Sequence, residues 1–526
     1  MRSFHFPGRS PVVARNGMAA TSHPAASLAA IEVLKRGGNA VDAAITATAL
    51  LGVVEPAMTG IGGDCFALLH VPKRGLVALN ASGHAPAGAD AAMLGLKEIA
   101  VTSPHAVTVP GAIDGWARLL SDFGTISLAE ALAPAIEAAE GGFAVAPRVA
   151  HDWAASVDKL RIHEGARRHL LKEDGKAPIT GDVFRMPALA RTMRIIARDG
   201  RAAFYEGELA AEMVAELRAL GGKHTHEDFR SQSSHYVTPL SVKYGPAELF
   251  ELPPNGQGIV ALIVLKLLER IEARRYSANS PERYHLMLEA ARLGYTARDA
   301  FVADPATADV PVSFMLSDDF IATLAKRISV SARMGDVSSL PRPVGSDTVY
   351  LTVADRSGMV VSFINSLFVG FGSGIVTRES GIALHNRGCG FSLDPGSPNL
   401  LGPRKRPLHT LVPAMAMRDG RPWLSFGVMG GMLQPVGHAY VLTNMVDYGL
   451  DVQEAIDHPR VFFDGGKVLV EETLPEATRA ELRRLGHDVG VRPDPWGGGQ
   501  SIEIDHERGV FLGGSDARKD GAALGY

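Results

Sequence analysis

Thr348 opens a β-branched, apolar run, TVYLTVAD, directly behind the turn-forming stretch GSD. A hydroxyl is a weak nucleophile at neutral pH. One way to activate it is to make its residue N-terminal, so that its own α-amine serves as the base. That amine has an unperturbed pKa of about 7.7–8.0, close to the working range for proton transfer. A linker that ends at a strand-initial threonine is where self-cleavage could expose such a group. The Thr348 hydroxyl would attack the Asp347 carbonyl, move the chain onto oxygen as an ester, and free the amine when water hydrolyses the ester. On this window alone, a threonine that merely suits a strand is the simpler reading.

A nucleophile of this kind needs donors for the oxyanion that develops on the attacked carbonyl. The stretch GVMGGMLQP places Gly430 and Gly431 just before an apolar helical segment, where unhindered backbone N–H groups could face a reacting carbonyl. Taken singly, the pair reads as a turn. Ser366, on the strand expected to pair with that of Thr348, could hydrogen-bond the Thr348 hydroxyl, although serine in a strand usually carries no such meaning. His23, His70 and His105 lack metal-ligand spacing, and no Asp/Glu/His cluster suggests a metal. None of the glycine-rich stretches has P-loop or dinucleotide-binding spacing, so no cofactor is expected.

The elements that would position these groups can be read from periodicity. Leu28, Ile31, Val33 and Leu34 recur at helical spacing and stop at Gly37 and Gly38; Asn39 can cap a second helix running to about Leu51. A glycine-rich turn then delivers a strand from Cys65 to Val71. Residues 116–230 read mainly as amphipathic helices, and PPNGQG introduces a helical pair reaching about Ala303. The texture of 304–347, rich in Pro, Ser, Gly and Asp, predicts loop or linker. Beyond it, TVYLTVAD, the turn RSG and MVVSFINSLF make a hairpin pattern. Further β-runs occur at LVPAMAM and RPWLSF, and a helix follows VMGG. Helical pairs packed on antiparallel strands predict a layered α+β fold.

Composition limits the partners. The chain of 526 residues has 53 basic and 57 acidic residues, a formal net charge of -4. That balance gives no electrostatic reason for a nucleic acid or an anionic membrane as partner and favours small molecules. Cys65 and Cys389 are the only cysteines. They cannot make a disulfide framework and read as small core residues. The N-terminal stretch lacks a continuous apolar segment of signal-peptide length, and AVDAAITATALLGVVEPAM is interrupted by Asp42 and Glu55, so a cytoplasmic protein is expected.

Together these windows resemble one family, the γ-glutamyltransferases or glutathione hydrolases, which are N-terminal-nucleophile hydrolases. The resemblance runs nearly end to end: GMAATSHPAASLAAIEVLKRGGNAVDAAI, EPAMTGIGGDCFALL, PGAIDGW, LPPNGQGI, DTVYLTVAD, GFGSGIV, NRGCGFSLDPGSPN, KRPLHTLVPAM, GVMGG and GGSDARKDGAALGY. It implies a four-layer αββα sandwich and a processing site at Asp347–Thr348. It further implies a second hydroxyl at Ser366, a paired hydroxyl position at Thr410, and oxyanion glycines at Gly430 and Gly431. The chain departs from the family where substrate is read. Ser82, with His84 close by, stands where an arginine usually grips the α-carboxylate. Phe368, Arg387 and Gly390 stand where Asn, Gln and Asp usually hold the glutamyl head, and His409 replaces the first of a serine pair. This pattern looks like the subgroup that includes oxamate amidohydrolases. Arg387, a charged fork suited to a carboxylate, and His409, able to donate or accept, are the candidate replacement ligands.

The resemblance thus implies a precursor cut into a large chain, 1–347, with 304–347 as linker, and a small chain, 348–526, which stay entwined as one fold; a dimer of such heterodimers is one assembly open to them. The expected activity is amide hydrolysis, with transfer to an amine as an option, through an acyl-enzyme on Thr348. Within the enzyme class, the rival to a γ-glutamyl substrate is a small carboxylate-bearing amide such as oxamate. The rival outside it is an uncut, inactive homologue that acts as a binding protein.

Overall fold

The computed structural model describes residues 8–335, 337, 347–495 and 497–526, with Asp347 described in its backbone only. The end of the linker expected up to Asp347, residues 338–346, therefore lies outside the described residues.

Two seven-stranded sheets organise the chain. In spatial order the first runs Ala522–Gly525, Gly17–Thr21, Asp347–Asp355, Val360–Phe368, Asp64–Val71, Gly75–Ala81 and His235–Val237. The second runs Val12–Ala14, Val510–Ser515, Gly498–Asp505, Arg421–Met429, Ala414–Arg418, Ala247–Glu251 and Leu240–Tyr244. All strand pairs within both sheets are antiparallel. Antiparallel strands alternate their side chains between two faces, and here both faces are covered.

Three apolar cores fill the layers. Val349, Leu351 and Val353 point toward the helices Pro24–Lys35 and Ala40–Val54, while Tyr350 and Ala354 of the same strand point between the sheets. Met415, Met429 and Ile502 meet them there from the second sheet. The helices Ile259–Arg270, Pro281–Phe301 and Gln434–Tyr448 close the outer face of that second sheet. The result is the αββα sandwich that the resemblance implies.

Local chemistry sets the helix ends. Asn39 caps Ala40–Val54, its side chain accepting from Val41 N and Asp42 N while Asp42 bonds back to Asn39 N. This reciprocal capping box satisfies donors that a helix N-terminus would otherwise leave bare. The region 304–347 differs from the expected loop: it contains the helices Val312–Met315 and Asp318–Ala325, and Met315 and Ile321 are buried in the second core. Proline and serine dominate the texture there, but one apolar contact per helix turn is enough to dock short helices.

The chain end is also structural. Asp516, from the motif GGSDARKDG, pairs with Arg460 at 2.5 Å and with Arg518 at 3.1 Å, and Ala522–Gly525 adds the edge strand beside Gly17–Thr21. No helix among the described residues is long and apolar enough to cross a membrane.

Between the sheets Gly427 faces Tyr350; a Cβ on Gly427 would meet the tyrosine ring at 2.5 Å. Gly427→Ala is expected to lower stability by about 1–3 kcal/mol through overpacking. Gly466→Ala, where nothing lies within 4 Å, is expected to stay within about 0.5 kcal/mol of the parent. Thermal unfolding of the two variants checks the difference.

Candidate active site

Three neighbouring strands place the candidate groups in one row. Asp347–Asp355 pairs with Val360–Phe368, and its register shifts between Asp347 and Val349, so Thr348 occupies an irregular position opposite residues 365–368. Such a bulge re-aims a side chain out of the regular ladder. Thr348 Oγ1 lies 3.1 Å from Ser366 Oγ, and both residues are buried. On the other side of its strand, Ser366 pairs with Asp64. Phe368 ends the row with φ of 80°, a conformation seldom adopted by a bulky residue, and its N–H donates to Ser366 Oγ at 2.7 Å. Strain of this kind persists where surrounding contacts over-determine it.

Gly430 and Gly431 end the strand Arg421–Met429 with φ of 127° and 56° and lead through a short 3₁₀ turn into the helix Gln434–Tyr448. Only glycine adopts the first of these without penalty. Both carbonyls of the turn are held: Gly430 O accepts from Leu433 N at 3.0 Å, and Gly431 O accepts from Gln257 Nε2 at 3.0 Å. Gln257 also donates to Thr410 O at 3.2 Å, and its own carbonyl accepts from Arg298 at 2.9 Å. A single buried amide thus joins the Gly431 turn to the Thr410 segment.

Arg387 is 1% exposed. Its guanidinium stacks over the Phe368 ring, 4.1 Å from the centroid, and one terminal nitrogen donates to Thr410 Oγ1 at 2.6 Å. Its Nε and Nη2 have no hydrogen-bond partner. Burial pushes the Arg387 pKa down to about 9, opposed by the negative charge of Asp64. A cavity of about 570 Å³ lies alongside, lined by Phe368, Cys389, Gly390, Asn399, Thr410 and Met432 among others. Gly390 has no room for a side chain, since a Cβ there would meet Leu408 O at 2.6 Å. A larger cavity, about 820 Å³ between Asn255, Asp304 and Arg406, is lined by none of the candidate residues.

The remaining candidates point elsewhere. His409 is fully buried and stacked on Phe66 at 4.6 Å. Its Nδ1 accepts from Leu411 N at 3.3 Å, which leaves Nε2 protonated and donating to Asp64 Oδ2 at 3.1 Å. Its ring is therefore engaged behind the cavity. Ser82 donates its hydroxyl to Asn80 at 2.7 Å, and His84 sits beside Arg404, Arg406 and Asp228, away from the cavity lining.

Besides Gln257, two more residues that sequence reasoning missed complete the site. Asp64 is fully buried; its Oδ1 accepts from Gly83 N at 3.1 Å and Gly111 N at 2.9 Å, and its Oδ2 from His409. His385 accepts from Arg387 N at its Nδ1, 3.0 Å, and turns its Nε2 toward Asp64 at 3.9 Å. The sequence signal for Asp64 was its place in TGIGGDCF, where the acid interrupts an otherwise small and apolar run.

One reading of the sequence needs correction: a cluster of metal-ligating types does exist. His285, Glu289 and His487 bring their ligand-type atoms within 4.8 Å of one another. Distance along the chain hid it, since His487 is remote from the other two. Its atoms are already engaged. His285 Nε2 donates to Ser329 O at 2.7 Å, so its Nδ1 accepts from His487 Nε2 at 2.8 Å, and Glu289 holds Arg292 at 2.8 Å and Met334 N at 2.7 Å.

The chain is similar to known proteins over nearly its whole length. Residues 26–526 match the family described as Gamma-glutamyltranspeptidase. The chain is 37% identical to a glutathione hydrolase-like proenzyme of Bacillus subtilis, over 98% of this chain and 99% of that one. It is 36% identical to an oxamate amidohydrolase proenzyme of Klebsiella pneumoniae, again over 98% and 99%. The crystal structure of a cephalosporin acylase from Bacillus halodurans superposes with a TM-score of 0.92 at 39% identity, covering 100% of this chain and 99% of that one.

His385 and His409 are both held at a pKa of about 3 by burial, with the Arg387 charge adding to the effect, against an ordinary 6.5. The folded state therefore binds fewer protons than the unfolded state. The stability these rings confer is complete above pH 6.5 and is lost as pH falls toward about 3. By pH 4 the loss is about 3 kcal/mol per histidine. Melting temperature measured against pH should fall through this window, and His409→Gln should flatten the fall; an unchanged slope would contradict the assignment.

Proposed function

We propose, for a chain that belongs to the gamma-glutamyltranspeptidase family, that it cuts itself at Asp347–Thr348 and then hydrolyses small amides bearing a single carboxylate. The protein is an N-terminal-nucleophile amidohydrolase of that family; the cut site, the residue roles and the substrate are the proposal. The observation that carries it is Arg387, a buried guanidinium beside the cavity with two donor atoms unpartnered.

In the precursor, Thr348 Oγ1 attacks the Asp347 carbonyl carbon. The C–N bond breaks as a C–O ester bond forms, the freed nitrogen takes up a proton, and water then cleaves the ester. Ser366, 3.1 Å from the attacking oxygen, orients it. In the mature enzyme the new α-amine accepts the hydroxyl proton while Thr348 attacks the substrate amide. The amides of Gly430 and Gly431 stabilise the oxyanion, a task that suits a turn whose carbonyls are held by other groups. The amine leaves with the proton, and water hydrolyses the acyl-enzyme.

Arg387 and Thr410 receive the carboxylate of the acyl part. A zwitterionic glutamyl head fits this site poorly. Its ammonium would need a buried anion, yet Asp64 has its oxygens occupied by two backbone N–H groups and His409, position 390 has no room for an acid, and of the two acids that line the cavity Asp299 pairs with Arg298 and Asp394 is exposed. A buried ammonium without such a partner costs several kcal/mol. The oxamate amidohydrolase relative supports the same substrate class.

Two outcomes are expected. Purified protein should give two fragments, the smaller beginning Thr-Val-Tyr-Leu by Edman sequencing, whereas Thr348→Ala should remain one chain. Identical fragments from that variant would show that an external protease makes the cut. The processed enzyme should release ammonia from oxamate with a higher kcat/KM than nitroaniline from γ-glutamyl-p-nitroanilide. A preference of more than about tenfold for the glutamyl compound, equivalent to roughly 1.4 kcal/mol at the transition state, would refute the carboxylate reading.

A further inference from the structure

Asp64 sits under the site without opening into it. It is 0% exposed and, like Arg387 itself, is absent from the lining of the 570 Å³ cavity, which the two side-chain partners of Arg387, Phe368 and Thr410, do line. Gly83 N, Gly111 N and the Nε2–H of His409 donate to its oxygens, and the second neutral ring, His385, directs Nε2 toward it from 3.9 Å. His385 also accepts from the backbone N–H of Arg387, so one ring lies between the acid and the Arg387 main chain. Yet Arg387 makes no ion pair with Asp64, and its side-chain contacts are Thr410 and the Phe368 ring.

We propose that Asp64 is a positioning residue for substrate recognition, a remote counter-charge that supports the Arg387 guanidinium while leaving its donors open to a substrate carboxylate. This rests on the reading of Arg387 as the carboxylate receptor. A direct ion pair would occupy the guanidinium donors; no counter-charge at all would leave a buried cation uncompensated. Separation by His385 and His409 avoids both.

The groups facing Arg387 are few. Asp64 raises its pKa, burial lowers it to about 9, and Cys389 contributes weakly because burial keeps that thiol near 12, hence uncharged. His385 and His409 are neutral above about pH 3, and Thr410 and Phe368 carry no charge. Removing the Asp64 charge should therefore move the loss of carboxylate binding to lower pH.

The experiment compares the pH dependence of KM for oxamate in the processed wild-type enzyme, Asp64→Asn and Asp64→Glu. Wild-type KM should rise only as pH approaches about 9. In Asp64→Asn that rise should begin about one pH unit lower, with KM up by about threefold at pH 8.5 and kcat changed by less. Asp64→Glu, which keeps the charge, should retain the wild-type midpoint and also serves if the Asn variant does not fold. A KM–pH profile for Asp64→Asn that superposes on wild type, or a midpoint displaced as far in Asp64→Glu, would overturn the proposal. If wild-type enzyme is not saturated by oxamate at any pH, the substrate reading fails instead, and the two failures are told apart by the wild-type arm alone.

Discussion

The site depends on the register of three adjacent antiparallel strands. Backbone pairing of Asp347–Asp355 with Val360–Phe368, and of the latter with Asp64–Val71, aligns Thr348, Ser366 and Asp64 in one row across the sheet. A slip of one residue would turn every side chain to the opposite face. It would carry Tyr350 into the helix layer and Val349 between the sheets, so the apolar cores fix the register. The alternation of Val349, Leu351 and Val353 against Tyr350 and Ala354 fixes the strand, and the register shift at its start sets where the Thr348 hydroxyl points.

Charge is the second constraint. The site buries a guanidinium and a carboxylate without letting them touch, and two imidazoles kept neutral by burial stand between or beside them. Each carries its proton where a neighbour dictates: Leu411 N–H occupies Nδ1 of His409, and Arg387 N–H occupies Nδ1 of His385. Both rings thus turn N–H toward Asp64. The arrangement suits a ligand with one negative charge, because the donors left unpartnered belong to the cation and the acceptors of the anion are filled.

Much of the fold was legible in the sequence because its signals are local. The glycine pair after Leu34, the cap at Asn39 and the hairpin around RSG each act within a few residues, and the helices and strands fall where these predict. The short helices within 304–347 were not legible, since what holds them is burial of Met315 and Ile321 in a core built from distant segments. The site divides in the same way. Thr348, Ser366, Gly430 and Gly431 could be named from local pattern and resemblance. Asp64, Gln257 and His385 could not, because their meaning lies in contacts with residues far along the chain. His409 was legible as a site residue, but its direction, onto Phe66 and Asp64, was set by packing.

The most direct test of this account is to find where the acyl group is held during turnover. Processed enzyme reacting with a small monocarboxylate amide can be quenched in acid and its peptides weighed by mass spectrometry. The account predicts an acyl mass on the peptide that begins at Thr348. Product accumulating while that peptide stays unmodified, or an acyl group found on another residue, would contradict it.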